Sequence, residues 1–116
     1  MSDNGSEHDE LLGAELRKKL EAEHGEVIAV KTRGGVAAFK VLTGGDYDRY
    51  TDLFMEPKTR RQAMKHAVLA ARVYPDVGTF QSWVDKYPGI VMTCFNPVVE
   101  FAGVETEAAT KKYGSA

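Results

Sequence analysis

The sequence has little of what catalytic or metal chemistry usually requires. It holds a single cysteine, Cys94, in 116 residues. One thiol excludes an internal disulfide and a cysteine-rich zinc site. No His, Lys or Arg lies close to it in sequence to lower its pKa, so Cys94 reads as a small buried hydrophobe, and its presence fits a reducing compartment. The three histidines, His8, His24 and His66, share no i, i+4 or short-loop spacing. No metal site is expected from them. No apolar run approaches the ~20 residues of a membrane span. The first ten residues, MSDNGSEHDE, are polar and acidic, the opposite of a secretory signal, which makes the cytoplasm the expected location. A net charge of −2 gives no basis for general nucleic-acid or membrane-surface binding.

Catalytic signatures are missing too. The pairs Gly34-Gly35 and Gly44-Gly45 are followed by no Gly-Lys-Ser/Thr and match no dinucleotide fingerprint, so they read as turns. There is no Gly-x-Ser-x-Gly elbow. Asp46, Asp48 and Asp52 lack the ligand order of a calcium loop, and a helix N-terminus that favours negative charge accounts for them better. Active sites can be assembled from scattered residues. Nothing here supports one, and the expectation is a non-enzymatic protein without a cofactor.

What is present is an ordinary globular composition, 43% hydrophobic and 28% charged, which argues against wholesale disorder. The length suits one domain. The expected fold is α+β: an N-terminal helix, a short β-hairpin, then a bundle of about four helices. Residues 1–8 are expected as a disordered acidic tail, 9–103 as the domain and 104–116 as a polar tail. Leu11, Leu12, Leu16 and Leu20 predict an amphipathic helix from about 9 to 23, stopped at His24-Gly25. Two β-prone runs, 26–32 and 36–42, flank Arg33-Gly34-Gly35 as a hairpin. Asp46 is the expected cap of a helix through Tyr47, Tyr50, Leu53 and Phe54. Pro57 opens the next helix, which runs over Lys58–Tyr74 until Pro75 ends it. Asp76 or Thr79 caps a helix carrying Phe80, Trp83 and Val84. The last helix, about 88–102, is expected to kink or split at Pro97, or to restart with Asn96 as a cap, and to end at Gly103.

The strongest feature outside the core is the basic helix with Lys58, Arg60, Arg61, Lys65, His66 and Arg72. It is a solvated face, with or without pairing to the acidic N-terminal helix, a docking surface for an acidic partner, or a phosphate contact. Residues 1–26 hold eight acids against three bases, which keeps the pairing open. The aromatics Phe80, Trp83, Tyr87, Phe95 and Phe101 are mostly core, and any left exposed beside apolar neighbours would mark an interface. The candidate partner-binding residues are Arg61, Lys65, Arg72, Met64, Val68, Trp83, Met92 and Phe95.

The order of segments carries a resemblance. A charged helix ends in Leu20-Glu-Ala-Glu-His-Gly25, then come Val27-Ile-Ala-Val30, a glycine turn, a strand ending near Leu42, and Asp46-Tyr-Asp-Arg-Tyr50. The Arg-rich helix follows, leading to Tyr74-Pro75. Over roughly residues 15–103 this resembles the small tail-assembly chaperones of tailed bacteriophages and prophages. The resemblance implies a cytoplasmic protein of the bacterial host that binds the tape-measure or tail-tube protein during morphogenesis, with no catalytic residues. A homo-oligomer is compatible with it. Chaperone work of this kind calls for an exposed apolar groove, expected from the 64–71 and 90–101 segments, with methionines to adapt to varied clients. The alternatives are a structural virion component and a small regulatory protein that binds a host protein.

Overall fold

The computed structural model describes residues 11–104. The expected tails, 1–8 and all but the first residue of 104–116, lie outside the described residues. Helix α1 (Ala14–His24) precedes a hairpin of β1 (Val27–Lys31) and β2 (Val36–Lys40). Helix α2 (Gly44–Met55), a 3-10 turn (Pro57–Thr59) and helix α3 (Arg60–Ala71) follow. A third strand, β3 (Arg72–Tyr74), then leads to α4 (Val77–Lys86) and α5 (Ile90–Phe101). The α+β architecture and the four helices after the hairpin stand as expected.

The period of two along a strand divides the chain into layers. The hairpin register sets Ile28 opposite Phe39 and Val30 opposite Ala37. That face joins a core with Ala67, Val68 and Ala71 of α3, Phe80 of α4, and Ile90, Cys94 and Val98 of α5. Phe39 and Phe80 meet edge to face at 6.2 Å between ring centroids, the arrangement that sets a ring's positive edge against the other's negative face. The opposite face offers Val27 and Ala38, covered by Leu12, Leu16 and Leu20 together with Val73. The sheet therefore lies between α1 on one side and the α3–α5 layer on the other, with α2 packed along α3.

The third strand was not expected. The helix predicted to reach Tyr74 stops at Ala71, and Arg72–Tyr74 pairs antiparallel with β2. Pro75 disfavours helical geometry at Tyr74, while Val73 and Tyr74 are of types that suit a pleated, half-buried surface. The free edge of β2 then takes up the backbone hydrogen bonds that the helix gives up. An irregularity between Ala38 and Phe39 shifts the register there.

Three smaller corrections concern helix ends. Thr43, not Asp46, caps α2. Its Oγ1 accepts the Asp46 N–H at 3.1 Å and donates to the Asp46 carboxylate at 3.0 Å. The helix therefore starts at Gly44 and takes both glycines into its first turn. At the N-terminus Leu11 and Leu12 are helical, Gly13 with φ +85 breaks the helix, and α1 resumes at Ala14; the expected start near residue 9 lies outside the described residues. Helix α5 runs through Pro97 without splitting or restarting at Asn96. Burial of Phe95, Val98 and Val99 on both sides of the proline holds the helix together despite the missing donor. Asp76 is the cap of α4, accepting the Thr79 N–H at 3.1 Å and the Thr79 hydroxyl at 2.7 Å. These hydrogen bonds favour the ionised carboxylate and lower its pKa.

Candidate docking groove

Helix α3 turns a stripe of small side chains to the core. Ala63, Ala67, Val68 and Ala71 recur at steps of three and four and are all fully buried. That stripe leaves Arg61, Met64 and Lys65 on the flank that meets the start of α5. In α5 the buried positions are Ile90, Cys94, Phe95, Val98 and Val99. Val91 shares that face and is partly buried against the core, whereas the same helical period turns Met92 outward. Between the two helices lies an open groove of about 520 Å³, lined by Arg61, Met64, Lys65, Pro88, Gly89, Val91 and Met92. Met92 is 52% exposed. The floor is apolar, and the cations stand on the α3 rim.

Those cations are uncommitted. Neither Arg61 nor Lys65 makes a side-chain hydrogen bond or ion pair with another described residue. The proposed pairing of the basic helix with the acidic N-terminal helix is not made by the described residues. Helix α1 packs on the far face of the sheet, where Arg17 pairs with Glu21 of its own helix at 3.1 Å. From α3, His66 approaches Asp46 of α2 at 3.8 Å.

Of the eight residues singled out from the sequence, Arg61, Met64, Lys65 and Met92 come together in the groove. The other four do not. Val68 is fully buried and Phe95 is 9% exposed, so both are core residues and not partner contacts. Their placement follows from the 67/68/71 and 94/95/98 stripes, which point to the sheet. Arg72 lies on β3, and its guanidinium donates to the Pro75 carbonyl at 2.6 Å. Trp83 is committed to the hairpin loop. A Cβ at Gly34 would lie 2.5 Å from its Cγ, and one at Gly35 2.9 Å from its Cη2. The loop is closed by Thr32, whose Oγ1 accepts the Gly34 and Gly35 N–H groups at 3.1 Å each and donates to the Gly35 carbonyl at 2.6 Å. The glycine pair thus makes room for an indole as well as a turn.

Pro88 and Gly89 are groove residues that the sequence reading missed, and Val91 lies in the expected 90–101 segment without being singled out. Tyr87-Pro88-Gly89 reads only as punctuation, and Ile90, Val91 and Met92 form one apolar run in which the groove-lining members are not marked. Anchoring the helical period on Cys94 separates only Met92, because Val91, three residues before the cysteine, lies on its buried face. That cysteine is buried, and burial pushes its thiol pKa up to about 12. A thiol so protonated is not a nucleophile at neutral pH. Among the described residues no three His, Cys, Asp or Glu side chains gather as a metal site. No helix among them is long and apolar enough to cross a membrane.

Comparison with known proteins gives a fold and no activity. No protein-family model matches the chain, and no curated protein does. A solved structure, described as the uncharacterised protein rbstp2171 from Bacillus stearothermophilus, is similar with a TM-score of 0.68. The match covers 81% of this chain and 98% of that one at 19% identity. The likeness at that identity is one of fold alone.

Proposed function

We propose that this protein is a non-enzymatic assembly chaperone or adaptor of the tailed-bacteriophage type, holding a helical segment of a tape-measure or tail-tube protein in the α3/α5 groove. The observation that carries the reading is the groove itself: Met64, Val91 and Met92 line it beside Arg61 and Lys65, which pair with no other described residue. An amphipathic helix laid into such a groove buries its apolar stripe, and unbranched methionines adjust to clients of differing shape. Acidic residues flanking the client's stripe would meet the rim. A short groove gives modest affinity, which suits a protein that must let its client go when the client polymerises. Exposed rim charges are screened over a Debye length of about 10 Å at 0.1 M salt, so client release rises with salt.

The test is co-expression of the tagged chain with the tape-measure and tube proteins of one tail-gene cluster, followed by capture at low and high salt. The chain should retain one long helical client, less of it at high salt. Met92→Asp should cut retention roughly tenfold or more, since the anchor's burial contributes on the order of 1.5–3 kcal/mol. A folded, well-expressed protein that retains neither client, or retains it equally after Met92→Asp, would remove the reading.

A further inference from the structure

We infer that two copies of this chain associate as a closed pair, each placing the Met55 end of its α2 in the α3/α5 groove of the other. The inference goes beyond the client reading; it uses the same groove and does not depend on any client. Three observations carry it. Asp48, Asp52 and Glu56 follow one another at four-residue steps, so they form one acidic stripe along α2 and its end. None of the three carboxylates pairs with a described cation. Met55, beside that stripe, is 77% exposed and leads the exposed large apolar side chains among the described residues. The groove offers the complement: an apolar floor with two cations on its rim that pair with no other described residue.

The arrangement favours a second copy over self-closure. Helix α2 packs along α3, where Arg49, Leu53, Gln62, Lys65, His66 and Leu69 line a second cleft, and its Tyr50 ring reaches Phe95 of α5 at 5.7 Å between centroids. Met55 does not line the groove of its own chain. Only the one-turn Pro57–Thr59 segment separates the end of α2 from Arg60, so acidic knob and basic socket sit at the same end of the helix pair. A two-fold axis between two such ends lets each knob meet the other copy's socket, the self-complementary contact of a closed dimer. Opposite charges across it fix the register and steer the encounter.

The experiment is sedimentation equilibrium of the full chain across a concentration series at low and high salt, with charge-reversed variants. The wild-type chain should dimerise, more weakly at high salt. Asp52→Lys/Glu56→Lys and Arg61→Glu/Lys65→Glu should each be monomeric, because knob and socket then carry like charge. An equimolar mixture of the two should form a one-to-one dimer, since both contacts regain opposite charge. Met55→Ser leaves every charge in place and should weaken the dimer roughly tenfold. A monomeric wild type, reversed variants that still dimerise, a mixture that stays monomeric, or an unchanged dimer in Met55→Ser would each overturn the inference. Client capture separates its failure from that of the client reading. The Asp52→Lys/Glu56→Lys variant keeps its groove and should retain a client as well as or better than wild type. A wild type that holds a client but never dimerises would sink only the paired arrangement.

Discussion

The sheet is built from three strands, and its two faces are covered very differently. On the α3–α5 side, Ile28, Val30, Ala37 and Phe39 meet helices from well downstream in the chain, and Phe39 and Phe80 are fully buried. On the α1 side, Ala38 and Val27 meet Leu12, Leu16, Leu20 and Val73, and Phe39 has no counterpart there. The difference lies in what the hairpin turns each way. One face of β2 carries a ring and the other a methyl group, so one side supports a deep core and the other a single helix. An element held by a few leucines on alanine-faced strands is the part of the domain expected to open first.

The largest test of that asymmetry is Phe39→Ala, which should destabilise the protein by about 3–5 kcal/mol in denaturant unfolding. Leu20→Ala on the other face should fall at the low end of the leucine range, about 2–3 kcal/mol. Amide exchange in α1 should be faster than in α3 or α5. Equal losses at Phe39 and Leu20, with equal protection of α1 and α5, would show that the faces contribute alike.

The two glycine pairs sharpen the comparison at smaller scale. Gly34→Ala forces a Cβ into the Trp83 indole and should cost about 1–3 kcal/mol by overpacking. At Gly44 and Gly45 a Cβ meets nothing within 4 Å, and both sit in the first turn of α2. Gly44→Ala should therefore be stabilising by about 0.4–1 kcal/mol. If both substitutions cost the same, Trp83 is not what demands glycine in the hairpin loop.

Cys94 gives a pH-dependent check on the deeper core. The native thiol titrates at about 12, above the ordinary value of 9.0. Above pH 9 the unfolded thiol loses its proton while the native one keeps it. Its contribution to stability is fully present below that pH and is lost as pH rises towards 12. Near neutral pH a thiol reagent should label Cys94 only as fast as the core opens, and denaturant should accelerate labelling steeply. The smallest expected effect is at Asp76. Its carboxylate is fully exposed and its pKa is lowered by the Thr79 hydrogen bonds. That contribution is present above the usual carboxylate value of 3.8 and fades as pH falls through the depressed native one. Asp76→Ala should remove this dependence from the unfolding curve, with a small loss of helicity.

Local signals were legible because their physics is local. The glycine turn, the Pro57 start, the His24-Gly25 stop and the Asp76 cap each depend on a few neighbouring residues, and each appears in place. The α+β class follows from them together with the switch from a period of two to a period near 3.6. Half of the candidate site was legible for the same reason: Arg61, Met64 and Lys65 share a helix face, and Met92 lies on a predicted helix. The assignment of Val68 and Phe95 to a partner surface failed because apolar periodicity marks a face without saying what covers it.

By itself the sequence determined where helices and turns could form, since caps, glycines and apolar spacing act through bonds and contacts a few residues apart. Only the tertiary structure decided that Arg72–Tyr74 is a strand, that Trp83 lies on the hairpin loop, and that Met64 and Met92 share a groove. A strand exists through hydrogen bonds to a neighbour, and a groove exists only between two helices. Both depend on residues far apart in the chain being brought together by the burial of Phe39, Phe80 and the α5 stripe.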